Sequence, residues 1–171
     1  MNTRVLVSLS LLVGIGTVLH AVMPPLFLGM KADMLLTMMF LGILLFPERK
    51  NVLVLSLVTG IVSAITTAFP GGQIANMIDK PITAFCFFGL MLLIRSKQPT
   101  VISASILTAI GTLISGTIFL LTALIFFGLP DAFIALFAGV VLPTAIVNTI
   151  MMIVIFPIVQ AILKRTNIAV Q

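Results

Sequence analysis

The sequence has no tryptophan, no tyrosine, one cysteine, one histidine and only four acidic residues among its 171 positions. A single cysteine excludes an intramolecular disulfide. Charged residues make up 8% of the chain, whereas a soluble domain carries about a quarter. Because hydrophobic residues make up 61%, the composition excludes a soluble domain. It predicts one integral membrane domain over residues 1–171.

The short motifs of nucleotide, acyl-transfer and metal chemistry are absent as well. The sequence contains no Walker-type glycine loop, no Gly-x-Ser-x-Gly turn and no His-x-x-x-His pair. We therefore expect a protein that is not an enzyme and that holds no metal and no cofactor. The net charge of +5 lies at the ends of apolar segments, where it encodes topology, so nucleic acid is not an expected partner.

Long apolar runs bounded by proline, glycine and charged residues predict an all-α bundle of six transmembrane helices. The predicted spans are residues 4–22, 31–46, 51–68, 74–95, 101–127 and 143–164. Before the last span, residues 131–141 are predicted to form a short helix that ends at Pro143, with one long helix kinked at Pro143 as the alternative. The first span lacks a clear cleavage site, so we expect it to be retained as a helix.

Basic residues are divided unequally between the two sides of this bundle. Six spans put both termini on one side. That side would hold seven basic residues, namely Arg4, Arg49, Lys50, Arg95, Lys97, Lys164 and Arg165, whereas the other side would hold Lys31 and Lys80. An excess of lysine and arginine marks the cytoplasmic face. The prediction is a multi-pass cell-membrane protein, surrounded by lipid, with both termini in the cytoplasm.

A stripe of polar residues opens the fourth predicted span. Gln73, Asn76 and Lys80 are spaced i, i+3 and i+7 and are therefore predicted to share one helix face, with Asp79 beside them. Pro81 is predicted to lie inside the same helix, because a helix that began there would be too short to cross the membrane. Charges in a membrane span are costly and mark a functional site by default. An acid, a base and amides together suit a zwitterionic ligand.

The plainer interpretation is that Asp79 and Lys80 pair with each other or with water at the outer interface. Adjacent helical residues point about 100° apart, which argues against a direct pair. Lys31 and Asp33 begin the second predicted span and either close over the site or anchor the interface. Asn148 in the last span is either a contact between helices or a ligand contact.

Three other residues receive structural interpretations. Asp131 is well placed to cap the short helix. His20 is expected at the membrane interface, and Cys86 is expected to be a small core residue.

Small residues recur at four-residue spacing in three spans, as Ser10 and Gly14, as Gly60, Ala64 and Ala68, and as Gly111 and Ser115. Such ridges let helices approach closely in a bilayer. Each ridge either packs the bundle internally or docks on another membrane subunit.

Two stretches, "FLGMKADMLLTMMFLGILL" and "FPGGQIANMIDKPIT", resemble the bacterial tryptophan transport protein family, TrpP. Six short spans with cytoplasmic termini also resemble the substrate-binding S components of energy-coupling factor transporters. The resemblance covers essentially the whole chain. It implies that L-tryptophan is captured from outside, between the outer halves of helices four to six and under the loop after helix one, and is delivered to the cytoplasm.

The resemblance also implies roles for individual residues. Lys80 would bind the substrate carboxylate and Asp79 or Asn76 the ammonium group, while Gln73 or Asn148 would bind the indole N–H. In S components a ridge of alanines on the first helix docks on a transmembrane coupling subunit that carries two ATPases. Here Ser10 and Gly14 stand in similar places, which leaves open whether this chain uses such a module or acts alone.

The absence of tryptophan from the chain fits this family, because a protein made when tryptophan is scarce benefits from not containing it. Two alternatives remain. One is an S component for a vitamin or another small metabolite, since a fold does not fix a substrate. The other is a membrane subunit that packs against a partner and transports nothing.

Overall fold

The computed structural model describes residues 3–27, 30–94 and 99–165. Its helices are α1 (Thr3–Val22), α2 (Met34–Leu45), α3 (Arg49–Thr66), α4 (Gly72–Leu93), α5 (Val101–Phe127), α6 (Phe133–Leu136) and α7 (Leu142–Arg165), with a π-helical turn, Phe137–Val141, between the last two. Strands β1 (Pro25–Phe27) and β2 (Met30–Lys31) form a small antiparallel hairpin after α1. The predicted all-α membrane bundle is confirmed.

Five helical segments are long and apolar enough to cross a membrane: α1, α3, α4, α5 and the continuous stretch from α6 into α7. The second predicted span, residues 31–46, is shorter than expected. Lys31 belongs to the hairpin and Asp33 caps α2, so α2 has only 12 residues, all of them buried. At 1.5 Å per residue it covers about 18 Å of a hydrocarbon core about 30 Å thick. The other helices therefore enclose α2.

Two of the predicted ridges pack against neighbouring helices inside the bundle. The rings of Phe40 in α2 and Phe87 in α4 stack with their centroids 4.1 Å apart. A Cβ atom at Gly111 would lie 2.8 Å from atoms of both rings, which leaves no room for a side chain. Gly60 lies against α4, where its Cβ would be 3.4 Å from the carbonyl oxygen of Asn76. These two ridges pack the bundle internally.

The end of the chain differs from the predicted helix–break–helix arrangement. The backbone stays right-handed helical from α6 through the π turn into α7, which agrees with the alternative of one long helix. Pro143 has no N–H to donate, and the turn before it is widened so that the Leu142 N–H donates to the carbonyl of Phe137, five residues earlier. The chain thus accommodates Pro143 with a π turn.

Helix α4 contains Pro81, as predicted, and begins after Gly71, whose φ of 72° is a left-handed conformation that favours glycine. The prediction that Cys86 is a small core residue is wrong. Cys86 is exposed, because the inward face of α4 runs through Asp79, Thr83 and Phe87.

Asp131 does not cap the short helix either. That helix starts at Phe133 with Ala132 as its N-cap. The Asp131 carboxylate instead accepts a bond from the Ala132 N–H at 2.7 Å, one residue too early to serve the first helical turn.

Candidate functional site

One cavity opens at the end of the bundle where α1 and α3 finish and α4 begins. It holds about 740 Å³ of space between atoms, a figure that includes the open space at its mouth. Its lining comes from the end of α1, the hairpin, the starts of α2 and α4, the end of α3, the second half of α5, and the π turn with the first residues of α7. Because α2 begins only at Met34, the space before its first turn is left to the cavity, which Asp33 and Leu36 line.

The centre of the polar wall is a cluster of three charges. The Nζ atom of Lys80 lies 2.5 Å from Oδ2 of Asp33 and 2.9 Å from Oδ2 of Asp79. The prediction that Asp79 and Lys80 would not face each other is therefore wrong. The long lysine side chain turns back along α4 far enough to reach its neighbour while it also reaches the loop before α2. The side chain of Lys80 is only 3% exposed, so both ion pairs are shielded from bulk solvent.

Asp79 is fully enclosed and its carboxylate is fully used. Its Oδ1 atom accepts a bond from Thr83 at 2.7 Å. Its Oδ2 atom accepts bonds from Ser115 at 2.7 Å and from Lys80. A buried carboxylate with three donors leaves little capacity for a ligand. Asp79 therefore acts as the fixed counter-ion that holds Lys80 in place.

Asp33 is the more accessible of the two acids. Its side chain is 17% exposed, and its Oδ1 atom accepts the Leu36 N–H at 3.0 Å, which caps α2. His20 at the end of α1 approaches it, with Nδ1 3.8 Å from Oδ1. Asp33 thus combines a structural bond to α2 with a carboxylate edge that borders the cavity.

Lys31 also lines the cavity, and its Nζ atom donates to the carbonyl of Ala21 at 3.3 Å. The structure thus brings Lys31 and Asp33 to the same cavity as Lys80, whereas the sequence left open whether they close over the site or anchor the interface. Two acids and two lysines line the cavity, namely Asp33, Asp79, Lys31 and Lys80. Their formal charges cancel when His20 is neutral, which suits a ligand that carries both charges.

The apolar part of the cavity lining is supplied by aromatic and aliphatic side chains. Phe69, from the loop between α3 and α4, and Phe119 of α5 meet edge to face with centroids 5.4 Å apart. Leu120 and the π-turn residues Val140 and Val141 continue this apolar lining. A ligand that fits here needs a charged end and a flat or bulky apolar end.

Three buried polar atoms in the lining have no hydrogen-bond partner among the described residues. They are Nδ1 of His20, Oγ of Ser63 and Oγ1 of Thr144. An unpaired buried polar atom costs about 1–3 kcal/mol. The three residues border the cavity, and each of these atoms lacks the partner that would offset its burial.

The residues predicted for the site are not all brought together. Asn76 is buried in the lining and donates to the carbonyls of Gly72 at 2.9 Å and Ser63 at 3.4 Å. Gln73 is exposed and does not line the cavity, so the prediction that it shares the inward face is wrong. Asn148 lies behind the lining, where its side-chain amide donates to Oγ1 of Thr112 at 3.3 Å.

Several lining residues carry no clear sequence signal. His20 was expected at the interface but is buried beside Asp33. Ser63, Thr144 and the two phenylalanines look like ordinary residues of apolar helices and loops, because only the tertiary fold brings them to one cavity. Within the described parts of the chain, no group of three or more histidine, cysteine or acidic residues is arranged to hold a metal ion.

Comparison with known proteins identifies close relatives. The family model described as "Tryptophan transporter TrpP" matches residues 2–164. A "Probable tryptophan transport protein" of Bacillus subtilis is 58% identical over 167 residues, which cover 98% of this chain and 96% of that protein. Proteins with the same name from Clostridium acetobutylicum and Clostridium perfringens are 41% and 38% identical, over 94% and 98% of this chain and 94% and 97% of their own lengths. No solved structure matches the chain.

Proposed function

Because this chain belongs to the TrpP family of tryptophan transporters, we propose that it binds L-tryptophan from outside the cell and delivers it to the cytoplasm. The observation that carries this proposal is the two-sided cavity. Its charged lining is balanced between two acids and two lysines, and its apolar lining contains Phe69 and Phe119. A zwitterion with a large aromatic side chain complements both parts.

The charged cluster suggests how the zwitterion is bound. Lys80 takes the substrate carboxylate, and Asp33 takes the ammonium group. Asp33 replaces Asp79 in this role because Asp79 already accepts from Thr83, Ser115 and Lys80 and is wholly buried. The substrate thus inserts between Asp33 and Lys80. The ion pair between these two residues is replaced by one ion pair of each residue with the substrate. Asn76 and Lys31 border the same space.

The proposed orientation places the open mouth of the cavity outside the cell. Helix α3 begins with the exposed residues Arg49 and Lys50, whereas its far end, residues 63–67, contributes to the cavity. Arg4 is at the start of α1, and His20 of the cavity is near its end. Basic residues mark the cytoplasmic side, so the cavity faces outward. Arg95 and Lys97, which support the same orientation, lie outside the described residues.

Cysteine labelling tests this orientation. In a Cys86→Ala background, Glu48→Cys lies between α2 and α3 and Asp131→Cys lies between α5 and α6; both positions are exposed. An impermeant maleimide applied to intact cells should label Asp131→Cys, and should label Glu48→Cys only after permeabilisation. Labelling in the reverse pattern would turn the cavity toward the cytoplasm and contradict capture from outside.

Direct binding is measurable because the chain has no tryptophan and no tyrosine. Under excitation selective for indole, any emission comes from the ligand. Transfer of the indole from water into the cavity should shift its emission to shorter wavelength, and the shift should saturate as protein is added. An emission spectrum that stays unchanged at high protein concentration would overturn the tryptophan assignment.

Two analogues separate a specific site from a nonspecific apolar cleft. Tryptamine lacks the carboxylate and should bind more weakly than tryptophan. That difference should shrink in Lys80→Ala, because the group that recognises the carboxylate is gone. Equal displacement by any hydrophobic amine would indicate nonspecific binding.

We further propose that the chain works as an S component and docks on a transmembrane coupling subunit with two ATPases. Support comes from α1, where Ser10 and Gly14 lie on an exposed face and a Cβ at Gly14 would meet nothing within 4 Å. Gly60 and Gly111, in contrast, are occupied by internal packing. The α1 ridge is thus the one of these three that is free to receive another helix.

A paired bulky replacement tests the docking ridge. The double variant Ser10→Phe, Gly14→Leu should retain tryptophan binding, because the ridge is remote from the cavity lining, but should lower uptake by cells. The matched control is Ile102→Phe, an enlargement of another highly exposed residue, at the start of α5, which should leave both unchanged. Normal uptake by the double variant would mean that the ridge contacts lipid alone.

A further inference from the structure

The hydroxyl of Thr144 differs from the hydroxyls of six other helical threonines in this bundle. Helical threonines usually donate to the carbonyl four residues earlier, and six here do so: Thr17, Thr66, Thr108, Thr112, Thr117 and Thr149. Thr144 is only 7% exposed, yet its Oγ1 atom has no partner in the described chain. Thr37 and Thr59 also lack a partner, but neither lines the cavity.

The π turn lies shortly before Thr144 in the chain. The carbonyl four residues before it belongs to Val140, which lies inside the turn Phe137–Val141. There the backbone bonds reach five residues back, as in the pair from the Leu142 N–H to the Phe137 carbonyl. The acceptor that a helical threonine normally uses thus belongs to the π turn, and Oγ1 of Thr144 makes no bond to it. The polar atom of Thr144 is left for another partner.

Thr144 lies in the part of the lining where the side chain of a bound amino acid would be placed. The charged groups that hold the zwitterion come from the start of α2 and from α4, so the ring must lie against the remaining elements. The π turn and α7 contribute Val140, Val141 and Thr144 to the cavity. Of these three residues, Thr144 is the one with a polar side-chain atom.

An indole N–H donates one hydrogen bond and accepts none, so it requires an acceptor. The sequence-based candidates for this role were Gln73, which is exposed, and Asn148, which lies behind Thr112. We propose that Thr144 determines ring specificity, with its Oγ1 atom accepting the indole N–H; this rests on the proposed function. Ser63 has the other unpaired hydroxyl, but it lies next to Asn76, on the side of the charged groups.

The test compares L-tryptophan with 3-benzothienyl-L-alanine, in which sulfur replaces the N–H with little change of shape. Tryptophan is followed by its emission shift and the analogue by competition. The wild-type protein should prefer tryptophan by about tenfold or more, the usual effect of one buried hydrogen bond. Thr144→Val, which removes the hydroxyl and keeps the shape, should lower tryptophan affinity about tenfold and leave analogue affinity unchanged.

Three further variants make the result specific. Thr144→Ser keeps the hydroxyl and should restore the preference for tryptophan. Ser63→Ala should retain the preference, and so should Thr149→Val, whose hydroxyl bonds to the Ala145 carbonyl on the same helix. If Thr144→Val does not fold, the comparison of Thr144→Ser with Thr144→Ala at matched thermal stability gives the same information.

The possible failures are distinguishable. If the wild-type protein does not bind tryptophan, the proposed function is wrong. If it binds tryptophan but does not discriminate against the analogue, or if the preference survives in Thr144→Val, the function stands and the role of Thr144 is overturned. Loss of the preference in Ser63→Ala alone would assign the contact to Ser63 and overturn the proposal.

Discussion

Lys80→Met should abolish tryptophan binding and lower the free energy of unfolding by about 3–5 kcal/mol, the usual effect of removing one partner of a buried ion pair. Lys80 lies 2.5 Å from Asp33 and 2.9 Å from Asp79, so its loss leaves two carboxylates without their cation. Asp79 is fully buried and cannot be rehydrated in place. Thermal unfolding in detergent and the emission shift of tryptophan measure the two effects.

A double variant separates stability from binding. Adding Asp79→Asn to Lys80→Met removes the stranded buried charge, while the amide oxygen still accepts from Thr83 or Ser115. The double variant should recover much of the lost stability but none of the affinity, because the carboxylate of the substrate still lacks its partner. Tryptophan binding by a folded Lys80→Met protein would contradict the binding mode. It would also favour the interpretation of the chain as a packing subunit.

Asp33→Asn should lower tryptophan affinity by about ten- to a hundredfold, since a hydrogen bond to a charged group contributes about 1.5–3 kcal/mol. The substitution is nearly isosteric, and asparagine is as good an N-cap as aspartate, so the bond to the Leu36 N–H is kept. Indole-3-propionate, which has the carboxylate and no ammonium group, should bind the variant at least as well as the wild type. The reason is that Lys80 is released from one of its two acids. Equilibrium binding of both ligands measures the difference.

Asp131→Asn is the matched control for Asp33→Asn, because Asp131 is exposed and does not line the cavity. It should leave both affinities unchanged. If Asp33→Asn lowers the two affinities equally, the effect is structural and Asp33 does not recognise the ammonium group. If it lowers neither, another group binds the ammonium.

The sequence predicted most helices because the length of an apolar run and the residues that end a helix are both local signals. The fifth helix was predicted as residues 101–127 and is observed as Val101–Phe127, between a Thr100 cap and Gly128. The second helix was overestimated because Lys31 and Asp33 border an apolar run without any local sign that they leave the helix. Pro143 predicts an irregularity in the helix, but a proline is compatible both with a break in the helix and with a π turn. The π turn packs closely on α5, where a Cβ at Gly116 would lie 2.4 Å from Val141, and a contact of this kind leaves no local signal.

The site was only partly predictable, for a similar reason. Asn76, Asp79 and Lys80 follow from the periodicity of one helix, and all three line the cavity. The same periodicity placed Gln73 on that face, yet Gln73 is exposed while Gly72 and Ala75 in the same turn are buried. The pairing of Lys80 with Asp33 joins residues 47 positions apart, and no spacing rule predicts such a contact.

The buried, apolar helix α2 affects whether ions can pass through the bundle. The cavity ends at Asp33 and Leu36, and beyond them lie about 18 Å of apolar helix, fully enclosed, with no charged side chain in Met34–Leu45. An ion that followed the axis of the bundle would have to leave water over that whole length, so this conformation is an insulator. Under the proposed function, a substrate in the cavity faces the same apolar helix on its way inward, so we expect its release to require that helices separate. We therefore expect this conformation to leave the membrane potential of a cell intact.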